Sequence, residues 1–201
     1  MIKADSYNIL IAEDEYLILM GLRSAVLRLG HRVIGEAQNG RQTVELALKL
    51  HPDLIIIDIK MPELDGLEAI KQINKNEIMI PSIVVTGYNE EDLIDKAINV
   101  GVFSYLIKPV NEIELGPAIE ISMARFQEFK RLNKELIDTQ NSLKARKYIE
   151  KAKGIIMDKY DLKEADAMNY LQKKSRNSNK KILDLAMEII KADQVLNIGK
   201  K

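Results

Sequence analysis

The chain has 201 residues, 46% of them apolar, no cysteine, and thirty basic residues against thirty acidic ones. That composition supports packed cores rather than disorder and excludes disulfides and thiolate metal centres. With no run of about 18 apolar residues and no secretory signal in "MIKADSYNILIAEDE", a cytoplasmic protein without a membrane span is expected.

The neutral total hides two unlike halves. Residues 1–115 carry 11 Lys and Arg against 18 Asp and Glu, a balance of −7, whereas residues 116–201 carry 19 against 12, a balance of +7. Unless the partition is chance, it marks two domains, the second suited to a polyanionic partner.

In the first half, short β-rich runs ("NILIAE", "RVIGEA", "DLIIID", "SIVVTG", "FSYLIK") alternate with helical patterns at Leu17–Leu29, Arg41–Leu50, Leu67–Asn74 and Glu91–Asn99. Such alternation predicts an α/β fold, a doubly wound five-stranded parallel sheet with its function at the carboxyl ends of the strands. Glu13 and Asp14 close the first strand, Asp58 the third, Thr86 the fourth and Lys108 the fifth. Three converging acids repel one another unless a cation neutralises them, and hard oxygen ligands suit Mg²⁺. A structural ion site or a merely charged rim is the alternative. Gly66, after Asp65, reads as turn chemistry ahead of a helix; His31 and His51 sit at element junctions and read as structural.

The segments "AEDE", "IIIDIKMPELDG", "VVTGY" and "YLIKPV" resemble the receiver domain of bacterial response regulators, a flavodoxin-like fold, over about residues 5–115. The resemblance implies that Asp58 accepts a phosphoryl group from a sensor histidine kinase. It further implies that Asp14, Asp58 and the main-chain carbonyl of Lys60 hold Mg²⁺, with Glu13 acting mainly through water. Lys108 would pair with the phosphoryl oxygens, Thr86 would hydrogen-bond one of them, and Tyr105 is the aromatic that follows the switch. Lys108-Pro109 is a cis candidate on the same ground.

Residues 116–141 read as a helical linker. Pro117 is awkward inside a helix, so a helix restarting near Gly116 is expected. Ile119, Ser122, Phe126, Phe129, Asn133, Leu136, Gln140 and Leu143 recur at threes and fours. This seam favours a coiled coil that makes a homodimer on phosphorylation, over a stripe packed on the chain's own domains.

Residues 142–201 predict an all-α three-helix bundle. Its first helix is Leu143–Lys159, and its second opens at Asp161 with a capping box to Glu164. The third carries Ile182, Leu185, Ala186, Ile189 and Ile190 at core spacing. On the first helix Ala145, Tyr148, Ile149, Ala152 and Ile156 form the apolar face. Arg146, Lys147, Lys151, Lys153 and Gly154 lie off it. Glycine inside a helix costs about 1 kcal/mol against alanine. Either another helix crosses tightly at Gly154, the favoured account, or a ligand backbone comes close.

"ARKYIEKAKGIIMDKYDLKEADAMNYLQKKSRNSNKKILDLAMEII" resembles the ANTAR domain over about residues 142–192, through Arg146, Ala152-Lys153-Gly154, Met157, Ala167, Leu171, Lys180, Lys181 and Ala186. Lys174 and Arg176 depart from its usual apolar pattern. The resemblance implies that paired domains hold two hairpins of a nascent leader RNA and so prevent termination. Candidate RNA contacts are Arg146, Lys147, Lys151, Lys153, Gly154, Arg176, Lys180 and Lys181. Tyr148 and Tyr160 could stack on a base, with core packing favoured for Tyr148. The chief rival is a DNA-binding transcription factor, followed by a protein-interaction output. An enzymatic output is least expected, because the second half has no histidine, no cysteine and no nucleotide-binding glycine loop.

Overall fold

A computed structural model describes residues 6–76, 79–87 and 101–197. The helix expected at Glu91–Asn99 lies outside them. Five strands, β1 (Asn8–Ala12), β2 (Arg32–Ala37), β3 (Leu54–Asp58), β4 (Ser82–Thr86) and β5 (Val102–Ile107), form one parallel sheet in the order β2-β1-β3-β4-β5. Side chains alternate across a strand, so each strand feeds two cores. Leu10, Ala12, Ile55, Ile57 and Val84 face one layer, with Ala47 of α2 (Gly40–Leu50) and Ile70 and Ile73 of α3 (Gly66–Lys75). Ile9, Ile11, Leu54, Ile56, Ile83 and Val85 face the other, with Leu19, Leu22 and Val26 of α1 (Tyr16–Arg28).

The strand β3 is buried at every position, which fits the run Ile55-Ile56-Ile57 in the centre of a doubly covered sheet. Gly66 opens α3 where any Cβ would collide with the Asp58 carbonyl oxygen, and its amide donates to the Ile59 carbonyl at 2.8 Å. Asp65 caps α3 by accepting from the Glu68 amide at 2.8 Å. His51 ends α2 in the left-handed region (φ 47°), and His31 is buried and stacked on Tyr7.

No helix restarts at Gly116. Instead α4 runs without a break from Glu112 to Tyr160, with Pro117 inside it. Asn111 starts it, its side chain accepting from the Glu114 amide at 3.1 Å and its carbonyl from the Leu115 amide at 2.9 Å. Proline costs helix stability when it removes an internal hydrogen bond. Burial of Leu115, Ala118, Ile119 and Met123 against β1 and α1 offsets that loss.

The chain divides into two compact units, residues 1–130 and 131–201. In the second unit each helix contributes a buried pair four residues apart. These are Ala152 and Ile156 of α4, Ala167 and Leu171 of α5 (Glu164–Ser178), and Ala186 and Ile190 of α6 (Ile182–Asn197). Pairing a small residue with a branched one lets short helices pack closely. The expected capping box does not form. Asp161 takes the left-handed conformation (φ 53°) and closes α4, with the Leu162 amide donating to the Met157 carbonyl at 3.2 Å. The α5 helix starts two residues later, after Lys163, without a side-chain cap.

Candidate functional site

The carboxyl ends of β1, β3, β4 and β5 converge as the strand order requires. Carboxylate oxygens of Glu13, Asp14 and Asp58 all lie within 4.8 Å of one another. The Lys108 Nζ donates to Asp58 Oδ2 and to Glu13 Oε1, each at 2.9 Å. It reaches there because its own amide donates to the Thr86 carbonyl at 2.9 Å, continuing the β4–β5 ladder beyond its last pair. The Lys108-Pro109 bond is cis.

Burial decides the electrostatics. Glu13 is fully buried, so desolvation raises its pKa, more than the Lys108 hydrogen bond lowers it; the charge of Asp58 raises it further. For Lys108 burial acts to lower the pKa, but hydrogen bonds to Asp58 and Glu13 outweigh it and leave the ammonium raised. One cation thus serves two acids, with Asp14 exposed beside them. Receiver domains generally bind Mg²⁺ at such an acidic pocket, and the group of Glu13, Asp14 and Asp58 fits that use. Thr86 is buried near the strand end, whereas Tyr105 is 51% exposed. The Glu13–Lys108 pair is what sequence reasoning misses. Motif matching gives Glu13 a role mainly through water, and its burial against the Lys108 ammonium is a tertiary effect.

The basic residues of the second unit separate into two kinds. Arg146, Lys147, Lys151, Arg176, Lys180 and Lys181 are exposed, although Lys180 also pairs with Glu188 at 2.5 Å. Lys153 is not an exposed cation off the apolar face. It is 8% exposed, and its Nζ reaches Glu150 at 2.5 Å and Glu164 at 2.7 Å. The reason is helical geometry: Lys153 follows Ala152 into the seam with α5, where the start of that helix supplies an acid. Hydrogen bonds from Glu150 and then Glu164 raise the Lys153 pKa, and Lys153 lowers that of Glu164.

That pair has a pH signature. A lowered carboxylate contributes stability above its unfolded value of 4.5, and the contribution disappears as pH falls through the lower folded value. Glu164→Gln should therefore melt below wild type at neutral pH, and the two curves should meet below pH 4.5. A gap unchanged at acid pH would mean that the ion pair does not cause it.

Gly154 is also placed differently from the favoured expectation. A Cβ at that position would meet nothing within 4 Å among the described residues, so none of the described helices crosses tightly at that point. Tyr148, expected in the core, is 43% exposed, because the buried face of α4 in this unit begins at Ile149.

The sheet order, helices on both faces and the Asp58 pocket are those of a receiver, and residues 9–120 match the response regulator receiver domain. Residues 138–190 match the ANTAR domain. The chain belongs to the response-regulator family, with an N-terminal receiver and a C-terminal ANTAR output domain, both regulatory rather than enzymatic modules. It is 37% identical over 186 residues to the transcriptional regulatory protein PdtaR of Mycobacterium tuberculosis, covering 91% of this chain and 90% of that one. The chemotaxis protein CheY of Bacillus subtilis is 32% identical over 104 residues, 52% of this chain and 87% of that protein. Among solved structures, the receiver domain of AraT from Geobacillus stearothermophilus superposes with a TM-score of 0.55 at 31% identity, covering 62% of this chain and 98% of that one. No described helix is long and apolar enough to cross a membrane.

Proposed function

We propose that this chain is a phosphorylation-controlled response regulator whose ANTAR domain binds hairpins in nascent leader RNA and keeps a terminator from forming. The observation that carries the reading is that one chain joins the Asp58–Lys108 pocket to an ANTAR domain. In the receiver, an Asp58 oxygen attacks the phosphorus of a sensor kinase's phosphohistidine; the new O–P bond forms as the N–P bond breaks and imidazole leaves. Glu13, Asp14, Asp58 and the Lys60 carbonyl are the groups that would hold Mg²⁺. When bound, Mg²⁺ neutralises charge on the phosphoryl oxygens.

Once Asp58 is phosphorylated, the Lys108 ammonium pairs with a phosphoryl oxygen, and the Thr86 hydroxyl donates to another. Tyr105, exposed beside them, turns toward the space Thr86 leaves. The expected output is a homodimer. Phe129, Leu132, Leu136, Ile137 and Leu143 of α4 are all more than 40% exposed, an apolar stripe that a second copy can cover. The N-terminal part of the expected seam, Ile119, Ser122 and Phe126, is instead buried in the receiver unit. Sedimentation should show a shift from monomer to dimer on phosphorylation, and Leu136→Lys should block it. An identical mass with and without phosphate would remove the switch.

Exposed Arg146, Lys147, Lys151, Arg176 and Lys181 favour a phosphate backbone, and hairpin loops expose unstacked bases that side chains can read. The test is filter binding of the phosphorylated protein to hairpin RNA and to duplex DNA across a salt series. Tighter binding to RNA at every salt concentration is expected. Preference for the duplex would instead make the chain a DNA-binding regulator.

A further inference from the structure

The turn that follows Asp58 is held in a conformation that its residues do not favour. Glu63 has φ 66°, in the left-handed region that side chains with a Cβ seldom enter. The Leu64 amide donates to the Pro62 carbonyl at 2.8 Å, which makes Glu63 the centre of a three-residue turn. Such strain persists only where the surroundings fix it. Here the surroundings are the start of α2. The Asn39 Nδ2 donates to Glu63 Oε1 at 3.2 Å, and the Leu64 carbonyl packs where a Cβ on Gly40 would collide with it. The Arg41 Nε lies 3.6 Å from Glu63 Oε2, but both side chains are more than half exposed, so that ion pair contributes little.

Asn39 is buried and has both ends of its amide engaged. Its Oδ1 accepts from the Gln42 amide at 2.8 Å and caps α2, while its Nδ2 holds Glu63. It stands two residues beyond Ala37, whose carbonyl accepts from the Glu13 amide at 2.9 Å. Because β1 lies between β2 and β3, a tie from Asn39 to Glu63 spans the end of β1, which Glu13 and Asp14 follow. The tie is made three residues after Lys60. A main-chain carbonyl is not aimed by its own side chain; the backbone on either side of it fixes its direction. On one side of Lys60 that backbone is β3, and on the other it is the turn held through Glu63.

We infer that Glu63 is a positioning residue for the receiver's divalent cation: its hydrogen bond with Asn39 fixes the turn after β3 and so presents the Lys60 carbonyl to the ion. The inference rests on the Mg²⁺ reading of the acid pocket and adds to it a residue that acts only through the backbone of its own turn. Groups that orient a metal ligand from behind are worth roughly 10- to 100-fold in metal affinity.

The test measures Mg²⁺ binding to the unphosphorylated full-length chain by isothermal titration calorimetry, with the melting temperature as the check on folding. Glu63→Ala should weaken binding by roughly tenfold or more. Glu63→Gln, which still accepts from Asn39, should bind as wild type does. Asn39→Asp keeps the α2 cap, because aspartate caps as well as asparagine, but it turns an acceptor on Glu63. It should weaken binding as Glu63→Ala does, although its added negative charge would by itself attract the cation. Combining Asn39→Asp with Glu63→Gln reverses donor and acceptor and should restore affinity, which keeps the test decisive if Glu63→Ala destabilises the turn. In phosphorylation by a small phosphodonor, the Mg²⁺ concentration for half-maximal rate should rise in the weakened variants, while the rate at saturating Mg²⁺ holds. Wild-type affinity in both Glu63→Ala and Asn39→Asp overturns the inference. So does a Glu63→Gln protein as weak as Glu63→Ala, since charge rather than the hydrogen bond would then be acting. A wild-type chain that binds no Mg²⁺ overturns the reading of the pocket itself, and the role of Glu63 with it.

Discussion

Asp58→Asn should abolish phosphorylation. Incubated with a small phosphodonor and Mg²⁺, the wild-type chain should gain a single acid-stable, base-labile phosphoryl group, and the variant none. Position favours Asp58 over Asp14 and Glu13 for the proposed phosphoacceptor role. It is 5% exposed and held at the end of the fully buried β3, with the Lys108 ammonium 2.9 Å from its Oδ2. Glu13 is fully buried, and burial raises its pKa, which disfavours the charged form a nucleophile needs. The asparagine side chain keeps the shape of the aspartate and lacks the nucleophilic oxygen. Labelling of the variant to the wild-type extent would move the phosphoacceptor elsewhere. The same variant should remain monomeric in sedimentation when phosphodonor is added, which ties the α4 stripe to the receiver.

Gly154→Ala should separate stability from binding. A methyl group there meets nothing within 4 Å, so nothing opposes the gain in helix propensity. The second unit should become more stable by up to about 1 kcal/mol, and its melting temperature should rise. If the RNA backbone approaches α4 at Gly154, affinity for hairpin RNA should meanwhile fall by about tenfold, the equivalent of about 1.4 kcal/mol. Lys147 and Lys151, on neighbouring turns and exposed, are the cations proposed to hold that backbone. Substituting either with alanine should lower the salt dependence of binding by a slope of about 0.7–0.9 for each phosphate that is no longer neutralised. A more stable Gly154→Ala protein with unchanged RNA affinity would show that no ligand backbone comes close there.

Lys153 illustrates why neighbouring residues in one motif need different accounts. In the triplet Ala152-Lys153-Gly154 the alanine is fully buried in the bundle core, and the lysine is clamped by Glu150 and Glu164. The glycine faces open space. Consecutive residues on a helix point about 100° apart, so three adjacent positions can serve core, seam and surface. Lys153→Ala is therefore expected to lower stability first, and any drop in RNA affinity should follow from the displaced start of α5.

The receiver is legible because its signals are local and agree with one another. Runs such as Ile55-Ile56-Ile57, rich in β-branched residues and bounded by turn signals, fit a strand covered on both faces. The chemistry-bearing residues Glu13, Asp58, Thr86 and Lys108 each follow such a run directly, and Asp14 follows Glu13. Parallel strands bring their carboxyl ends to one edge whatever the loops do, so the sequence alone placed these residues at a common edge of the sheet. In the second unit, period and spacing likewise indicated three helices and placed Ala152, Ile156, Ala186 and Ile190 in the core, although Tyr148 of the same apolar face is exposed.

Tertiary packing decided the rest, because sequence spacing does not report distance between elements. That Lys108 bridges Glu13 and Asp58, 95 and 50 residues away in the chain, depends on β1, β3 and β5 sharing one sheet. Pro117 argues for a break, and α4 continues through it because Leu115, Ala118 and Ile119 gain a core to enter. Glu164 has the spacing of a capping partner for Asp161, yet it turns to Lys153, since an ion pair across two helices is available and Asp161 is needed to close α4. Gly154 has the sequence of a crossing point, but the bundle places its other helices elsewhere. Local pattern sets which face of each element is apolar; only the assembled elements decide which polar groups find partners and which are left facing solvent.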